Sequence, residues 1–293
     1  EFRHLSDEGN GTFRPATERD LNAICLEAHR HGIDCWDRDV ARMVHSADVR
    51  EYHPFRQYFQ RLPAWDGRDR LHDLATRVSD SLLWIQAFHR WMLGLAAQWA
   101  GLSDGLHAHS TAPLLVSDEQ GLGKSTFCRA LLPPELQAYY TDSVDLARPD
   151  KVERQLTEMG LLNLDEFDRI PEKKHPLLKN FMQLSALNLR KAYRRHSRAL
   201  PRIASFIGTS NSRELLSDPS GSRRFICVLV EHPIDSTGID HAQIYAQLKA
   251  KLERGERYWF SHGEENALRL HNAAFYRCLL YTSPSPRDGA TSR

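Results

Sequence analysis

The chain predicts an α/β fold in which a parallel sheet flanked by helices follows an N-terminal helical region. Three observations carry that expectation. Apolar residues recur at helical spacing over residues 20 to about 102. Beyond residue 105, short apolar runs alternate with longer polar, helix-like segments, the texture of strands joined by crossover helices. Hydrophobic residues at 41% and charged residues at 26% give the balance of a soluble globular chain, and 293 residues suffice for one α/β domain plus a smaller accessory region.

The elements follow in order. "LNAICLEAHRHG", "YHPFRQYFQRL" and "LLWIQAFHRWMLGLAAQW" read as helices, interrupted by the turn "LPAWDGRDRL", which Trp65 would anchor to the core. "APLLV", "LLNLD", "IASFIGTSN" and "FICVLV" read as strands. "HAQIYAQLKAKLERG" and "EENALRLHNAAFYRC" return to helical spacing, as a lid or docking element. The expected organisation is a helical region over residues 1–104, a core over 105–235, a C-terminal helical segment over 236–277 and a tail over 278–293. That tail, ending "YTSPSPRDGATSR", resembles read-through of sequencing adaptors; a Pro/Ser-rich disordered tail is the alternative. A start at Glu1, with neither an initiator methionine nor the apolar core of a signal peptide, reads as a fragment of a longer protein.

Composition excludes some classes of function. No apolar run approaches the roughly 20 residues of a membrane helix. Five scattered cysteines without a CxxC pair argue against a zinc site and a disulfide framework, and fit a reducing cytoplasm. His107 and His109 lack a third ligand at metal spacing and read as solvated loop histidines. A net charge of +1 neither demands nor excludes nucleic acid.

The chemistry concentrates in four motifs. In "LLVSDEQGLGKSTF" a strand runs into a glycine-containing turn and then a helix, the arrangement whose converging N–H groups cradle phosphate. Residues 120–126 (Gln120, Gly121, Leu122, Gly123, Lys124, Ser125 and Thr126) would surround the phosphates. Lys124 would reach the β- and γ-phosphates and the Ser125 hydroxyl would ligate Mg²⁺. Asp118 stands where such a loop has its first glycine, and its carboxylate would repel a polyphosphate unless it points outward. In "LLNLDEF", Asp165 and Glu166 fall at the carboxyl end of a buried strand. There Asp165 would hold the Mg²⁺ shell and Glu166 would polarise an attacking water; an ordinary acidic strand end is the alternative.

Asn211, at the polar tip of "GTSN", either senses the γ-phosphate or caps a following helix "SRELLSD". Arg223 and Arg224, before the strand "FICVLV", either neutralise transition-state charge, in cis or on a neighbouring subunit's nucleotide, or form a solvated basic pair. Between the acids and Asn211 lies the most basic stretch: Lys173, Lys174, Lys179, Arg190, Lys191, Arg194, Arg195, Arg198 and Arg202, with Tyr193 and His196 interleaved. Of these, Lys179, Arg190, Lys191, Tyr193, Arg194 and Arg195 are the candidates for nucleic-acid contact, cations tracking phosphates beside an aromatic that can stack.

The order Gly123-Lys124-Ser125, Asp165-Glu166, Asn211, Arg223-Arg224 resembles that of the virulence-associated protein E-like P-loop ATPases, relatives of superfamily 3 helicases and the AAA+ class often encoded on phages, plasmids and integrated elements. "YHPFRQYFQRLPAWDGRDRL" looks like that family's lead-in segment, and the likeness runs from about residue 52 to 230. It implies a P-loop NTPase core using ATP and Mg²⁺, with Lys124 and Ser125 on phosphate and Mg²⁺, Asp165 and Glu166 as the second-motif acids, Asn211 as sensor and an arginine of the 223–224 pair as finger. It further implies a helicase-like motor in replication of a mobile element, acting on DNA, single-stranded by preference, as a ring-forming homo-oligomer with a primase-like domain upstream. An ATP-dependent switch or DNA-binding assembly module without translocation is the alternative. A small-molecule kinase would not call for a sensor Asn and paired Arg on successive strands.

Overall fold

The computed structural model describes residues 3–5, 13–49, 52–103, 106–189, 198–217 and 222–277, and divides the chain into two compact units, Glu1–Arg61 and Leu62–Arg293. The first unit carries an antiparallel strand pair, β1 (Arg3–Leu5) and β2 (Phe13–Pro15), then α1 (Glu18–Arg30), α2 (Asp37–Val44) and α3 (Pro54–Arg61). Thr17 starts α1 by donating its backbone N–H and its hydroxyl to the Asp20 carboxylate.

The second unit opens with α4 (Arg70–Thr76) and α5 (Leu82–Ala100). It continues with β3 (Ala112–Val116), α6 (Lys124–Ala130), β4 (Tyr140–Thr141), α7 (Pro149–Glu158), β5 (Leu161–Leu164), α8 (His175–Gln183), β6 (Ala186–Leu189), β7 (Arg198–Pro201), β8 (Ser205–Ser210) and β9 (Phe225–Leu229). Two helices, α9 (His241–Glu253) and α10 (His262–His271), complete it. The helices α4 and α5, read from sequence with the N-terminal region, cluster here with the sheet.

The five-stranded sheet is parallel throughout, in the order β4-β5-β8-β3-β9. Both faces are covered, which is why its strands read as short continuous apolar runs. Leu114, Val116, Leu162, Leu164, Phe206, Phe225 and Cys227 point to one face, where Val152 and Leu156 of α7 and Leu178, Phe181 and Met182 of α8 join them. Alternate residues such as Leu115, Ile207, Ile226 and Val228 are buried on the other face, over which α5 packs against β3 and β9. Among the described residues no helix is long and apolar enough to cross a membrane.

Three details correct the sequence reading. Trp65 does not enter the core: it is half-buried, donates its indole N–H to Arg68 O and lies beneath the Arg254 guanidinium. Residues 212–217 form no helix, so Asn211 has none to cap. The 236–277 segment, read from sequence as a lid or docking element, is packed into the second unit. Tyr245 of α9 is fully buried and donates its hydroxyl to Leu131 O, while the buried Gln247 carboxamide accepts from Arg70 N and Leu71 N at the start of α4.

Candidate functional site

The carboxyl end of β3 sits between those of β8 and β9, and the chain leaves it through a loop closed by α6. This is the position in a parallel sheet where strand ends open a crevice for ligands. Gly121 and Gly123 take φ of +81° and +79°, the left-handed region that only glycine enters freely. The loop is pinned from outside: Ile234, beyond β9, donates its N–H to Leu122 O at 3.0 Å, and a Cβ on Gly123 would come within 3.3 Å of Ile234 O. Gln120, Gly121, Ser125 and Thr126 remain exposed around it.

Lys124 is buried, and its ammonium is held among three acceptors. It donates to the Ser117 hydroxyl, to Glu119 O at 3.2 Å and to Asn211 Oδ1 at 2.9 Å. Burial lowers its pKa, and the nearby Asp165 and Asp168 carboxylates oppose that shift. The amide that sequence reading left between two roles therefore reaches across to the loop lysine.

The acids gather on the same edge. Asp165 Oδ1 accepts from the Ser125 hydroxyl at 2.9 Å and from the Thr209 hydroxyl at 2.6 Å. Glu166 is the one non-glycine residue with positive φ among those described, at 51°, a conformation costing about 1–3 kcal/mol and most often kept at functional sites. Its carboxylate pairs with Arg169 at 2.7 Å. Asp168 accepts from the Ser210 hydroxyl at 2.8 Å and from Asn211 N at 3.3 Å, fixing the backbone that presents the amide. Two of these three carboxylates are answered by hydroxyls and backbone N–H alone, and among the described residues no three His, Cys, Asp or Glu side chains are grouped to hold a metal ion. The Ser125 and Asp165 oxygens fit Mg²⁺ by type.

Sequence reading missed Thr209, Asp168 and Ser117. Thr209 and Ser210 lie in the quoted polar tip, but only the β5–β8 pairing shows that they face the acids. Asp118 turns outward, as a carboxylate there must: its Oδ2 accepts from Arg213 Nε at 2.6 Å, with both side chains about half exposed.

Arg223 and Arg224 are not brought to this loop. They precede β9, whose register with β3 runs from Ala112↔Phe225 to Val116↔Leu229, so they stand at the opposite end of the sheet, roughly 13 Å of strand away. Arg223 pairs there with Glu265 at 3.4 Å. Of the candidate nucleic-acid residues, Lys179 lies on α8, whereas Arg190, Lys191, Tyr193, Arg194 and Arg195 lie outside the described residues, between the antiparallel strands β6 and β7.

Arg202, counted from sequence in the basic stretch, is buried. It donates to Phe181 O and Met182 O at the end of α8 and to His109 O, and burial lowers its pKa to about 10. Nor are the two histidines solvated. His107 stacks on Trp259 at 3.9 Å, and His109 is buried with Nδ1 2.9 Å from Gln98 Oε1 and 3.0 Å from Ser205 Oγ. A separate cleft of about 290 Å³ beside α4 is lined by Arg68, Arg70 and Arg77, each already bound to a carboxylate or to backbone carbonyls.

Residues 59–277 match the model of the virulence-associated protein E-like domain. The chain belongs to the virulence-associated protein E-like family. No curated protein matches this family member. Among solved structures it is similar to the apo structure of NrS-1 C terminal region (305-718), at 14% identity and a TM-score of 0.46, over 73% of this chain and 54% of that one. The A form apo structure of NrS-1 C terminal region-CTR(305-718) matches at 14% identity and a TM-score of 0.44, over 72% and 52%. This virulence-associated protein E-like chain thus spans about half the length of the solved structures it matches.

Proposed function

We propose that this chain is a P-loop ATPase of the AAA+ and superfamily 3 helicase-like kind, serving DNA replication of a mobile element. The observation that carries the reading is the meeting of Lys124 and Ser125, Asp165, and Asn211, from three separate segments, at the carboxyl end of one parallel sheet. Residues 120–126 take the phosphates, their backbone N–H groups and the Lys124 ammonium answering the charge. Ser125 and Asp165 would hold Mg²⁺, which would supply charge neutralisation to the bound nucleotide.

The residues of this chain divide the remaining work. Thr209 keeps the Asp165 carboxylate turned toward Ser125. Glu166, released from Arg169, takes the proton of the attacking water. Asn211 exchanges Lys124 for the γ-phosphate or that water, and so couples nucleotide state to β8. Arg223 and Arg224, facing away from this chain's own loop, serve the nucleotide of a neighbouring copy, which makes hydrolysis a property of an assembly. The basic residues between β6 and β7 contact DNA, single-stranded by preference.

The test is ATP turnover with and without single-stranded DNA. Wild-type turnover is stimulated by DNA and abolished by Lys124→Ala. Turnover that persists in Lys124→Ala would sink the assignment, and turnover indifferent to DNA would favour the ATP-dependent switch.

A further inference from the structure

We propose that Arg213 is a second in-chain cation of the phosphate site, one that Asp118 holds ready at its mouth. This rests on the phosphate-loop reading and adds to it a residue which none of the sequence motifs contains. Asp118 is the second residue of the loop after β3 and Arg213 follows Asn211 by two residues, on the segment after β8. The two segments run side by side, because β3 and β8 pair through Val116↔Ser210 and Ser117 N donates to Ser210 O.

Two short paths join Arg213 to the Lys124 ammonium. One runs through Asn211, whose Oδ1 accepts from Lys124 at 2.9 Å; the other runs through Asp118 to Glu119, whose carbonyl accepts from Lys124 at 3.2 Å. The guanidinium is thus linked to the lysine through one or two intervening residues, on a side chain 54% exposed and without helical constraint. Only Nε is committed to Asp118, so the terminal N–H groups of the fork are not bound by that bond.

An exposed carboxylate–guanidinium pair contributes little to folding. A triphosphate presents more charge and more acceptors to an arginine than one carboxylate does, and a fork binds phosphate oxygens two at a time. Nucleotide entering the loop therefore draws Arg213 from Asp118 onto its terminal phosphate. The substitution of aspartate for the loop's first glycine then has a role: it stores the cation beside the site, and sets a threshold that a triphosphate crosses more readily than a diphosphate. Arg213 acts in cis, at the end of the sheet which Arg223 and Arg224 do not face.

Equilibrium titration of the full chain with fluorescent ATP and ADP analogues in Mg²⁺ tests this. Arg213→Ala weakens the triphosphate about tenfold and the diphosphate less than about threefold, whereas Arg213→Lys recovers part of the loss. Asp118→Asn tightens the triphosphate several-fold, and that gain shrinks when Arg213→Ala is also present. Equal effects of Arg213→Ala on ATP and ADP, or none, would overturn the proposal while Lys124→Ala still abolished binding of both. Nucleotide affinity unchanged by Lys124→Ala would overturn the phosphate-loop reading itself.

Discussion

At the scale of single residues, the candidate site is a set of side chains that answer one another. Lys124 bridges the loop to Asn211, and Thr209 bridges β8 to Asp165. The Thr209 hydroxyl touches neither phosphate nor water in this reading; it orients the carboxylate that would hold Mg²⁺. Thr209→Val, which keeps the shape and removes the hydroxyl, is expected to lower ATP turnover by about 10–100-fold, with part of the loss recovered at high Mg²⁺ concentration. A Mg²⁺ titration of turnover checks this, and an unchanged profile would remove Thr209 from the site. Asp118, the irregular residue of the loop, sits outside the crevice on Arg213, so its charge is compensated where it stands.

His109 carries a pH prediction at the same scale. Burial and the Arg202 charge lower its pKa from 6.5 to about 3, so the folded chain holds this ring neutral while the unfolded chain protonates it. Between those values the unfolded state binds more protons, and folding stability is lost as pH falls from about 6.5 toward 3. The limiting slope is about 1.4 kcal/mol per pH unit from this group. Denaturant unfolding at several pH values should show a shallower slope for His109→Gln than for wild type. Parallel profiles would contradict the buried neutral ring.

At the scale of elements, the strands that carry the site meet without spare space. A Cβ on Gly208 of β8 would lie 2.7 Å from Leu114 Cδ2 on β3 and 3.0 Å from Leu164 O on β5. Gly208→Ala should therefore destabilise by about 1–3 kcal/mol, read as a lowered denaturant midpoint. It should also disturb nucleotide binding, because it parts the strands that end in Lys124's loop, Asp165 and Asn211. Stability equal to wild type would show that the three strands are less tightly registered than described.

These elements explain what was legible in the sequence. Strands buried on both faces read as short apolar runs, so β3, β5, β8 and β9 stand out, as does the amphipathic or apolar pattern of α5 and α9. The two-residue β4 and the pair β6–β7 carry too little pattern to see. In the site, the placement of Lys124, Ser125 and Asp165 at one sheet end was readable because fixed spacing in a loop or strand end sets where they stand. Arg213, Asp168 and Thr209 were not, since each meets a partner that only strand pairing brings near. His109 and Arg202 misled for a related reason: polar residues read as exposed unless tertiary contacts bury them, and here buried carbonyls, Gln98 and Ser205 supply the partners.

At the scale of the whole molecule, the placement of Arg223 and Arg224 at the far end of the sheet makes a prediction about assembly. Lys124→Ala and an Arg223→Ala/Arg224→Ala double variant should each lack turnover alone. Mixed, they should regain part of it, because the first supplies arginines to the intact loop of the second; a mixture with no activity would place the finger elsewhere.

If Lys124, Asp165 and Glu166 form one hydrolytic site, Glu166→Gln leaves nucleotide binding in place and removes the base. Phosphate release by this variant, set against its ATP affinity, separates chemistry from binding. The variant should bind ATP within about threefold of wild type and release phosphate about 10²-fold more slowly, or slower still. A release rate equal to that of wild type would contradict this hydrolytic site.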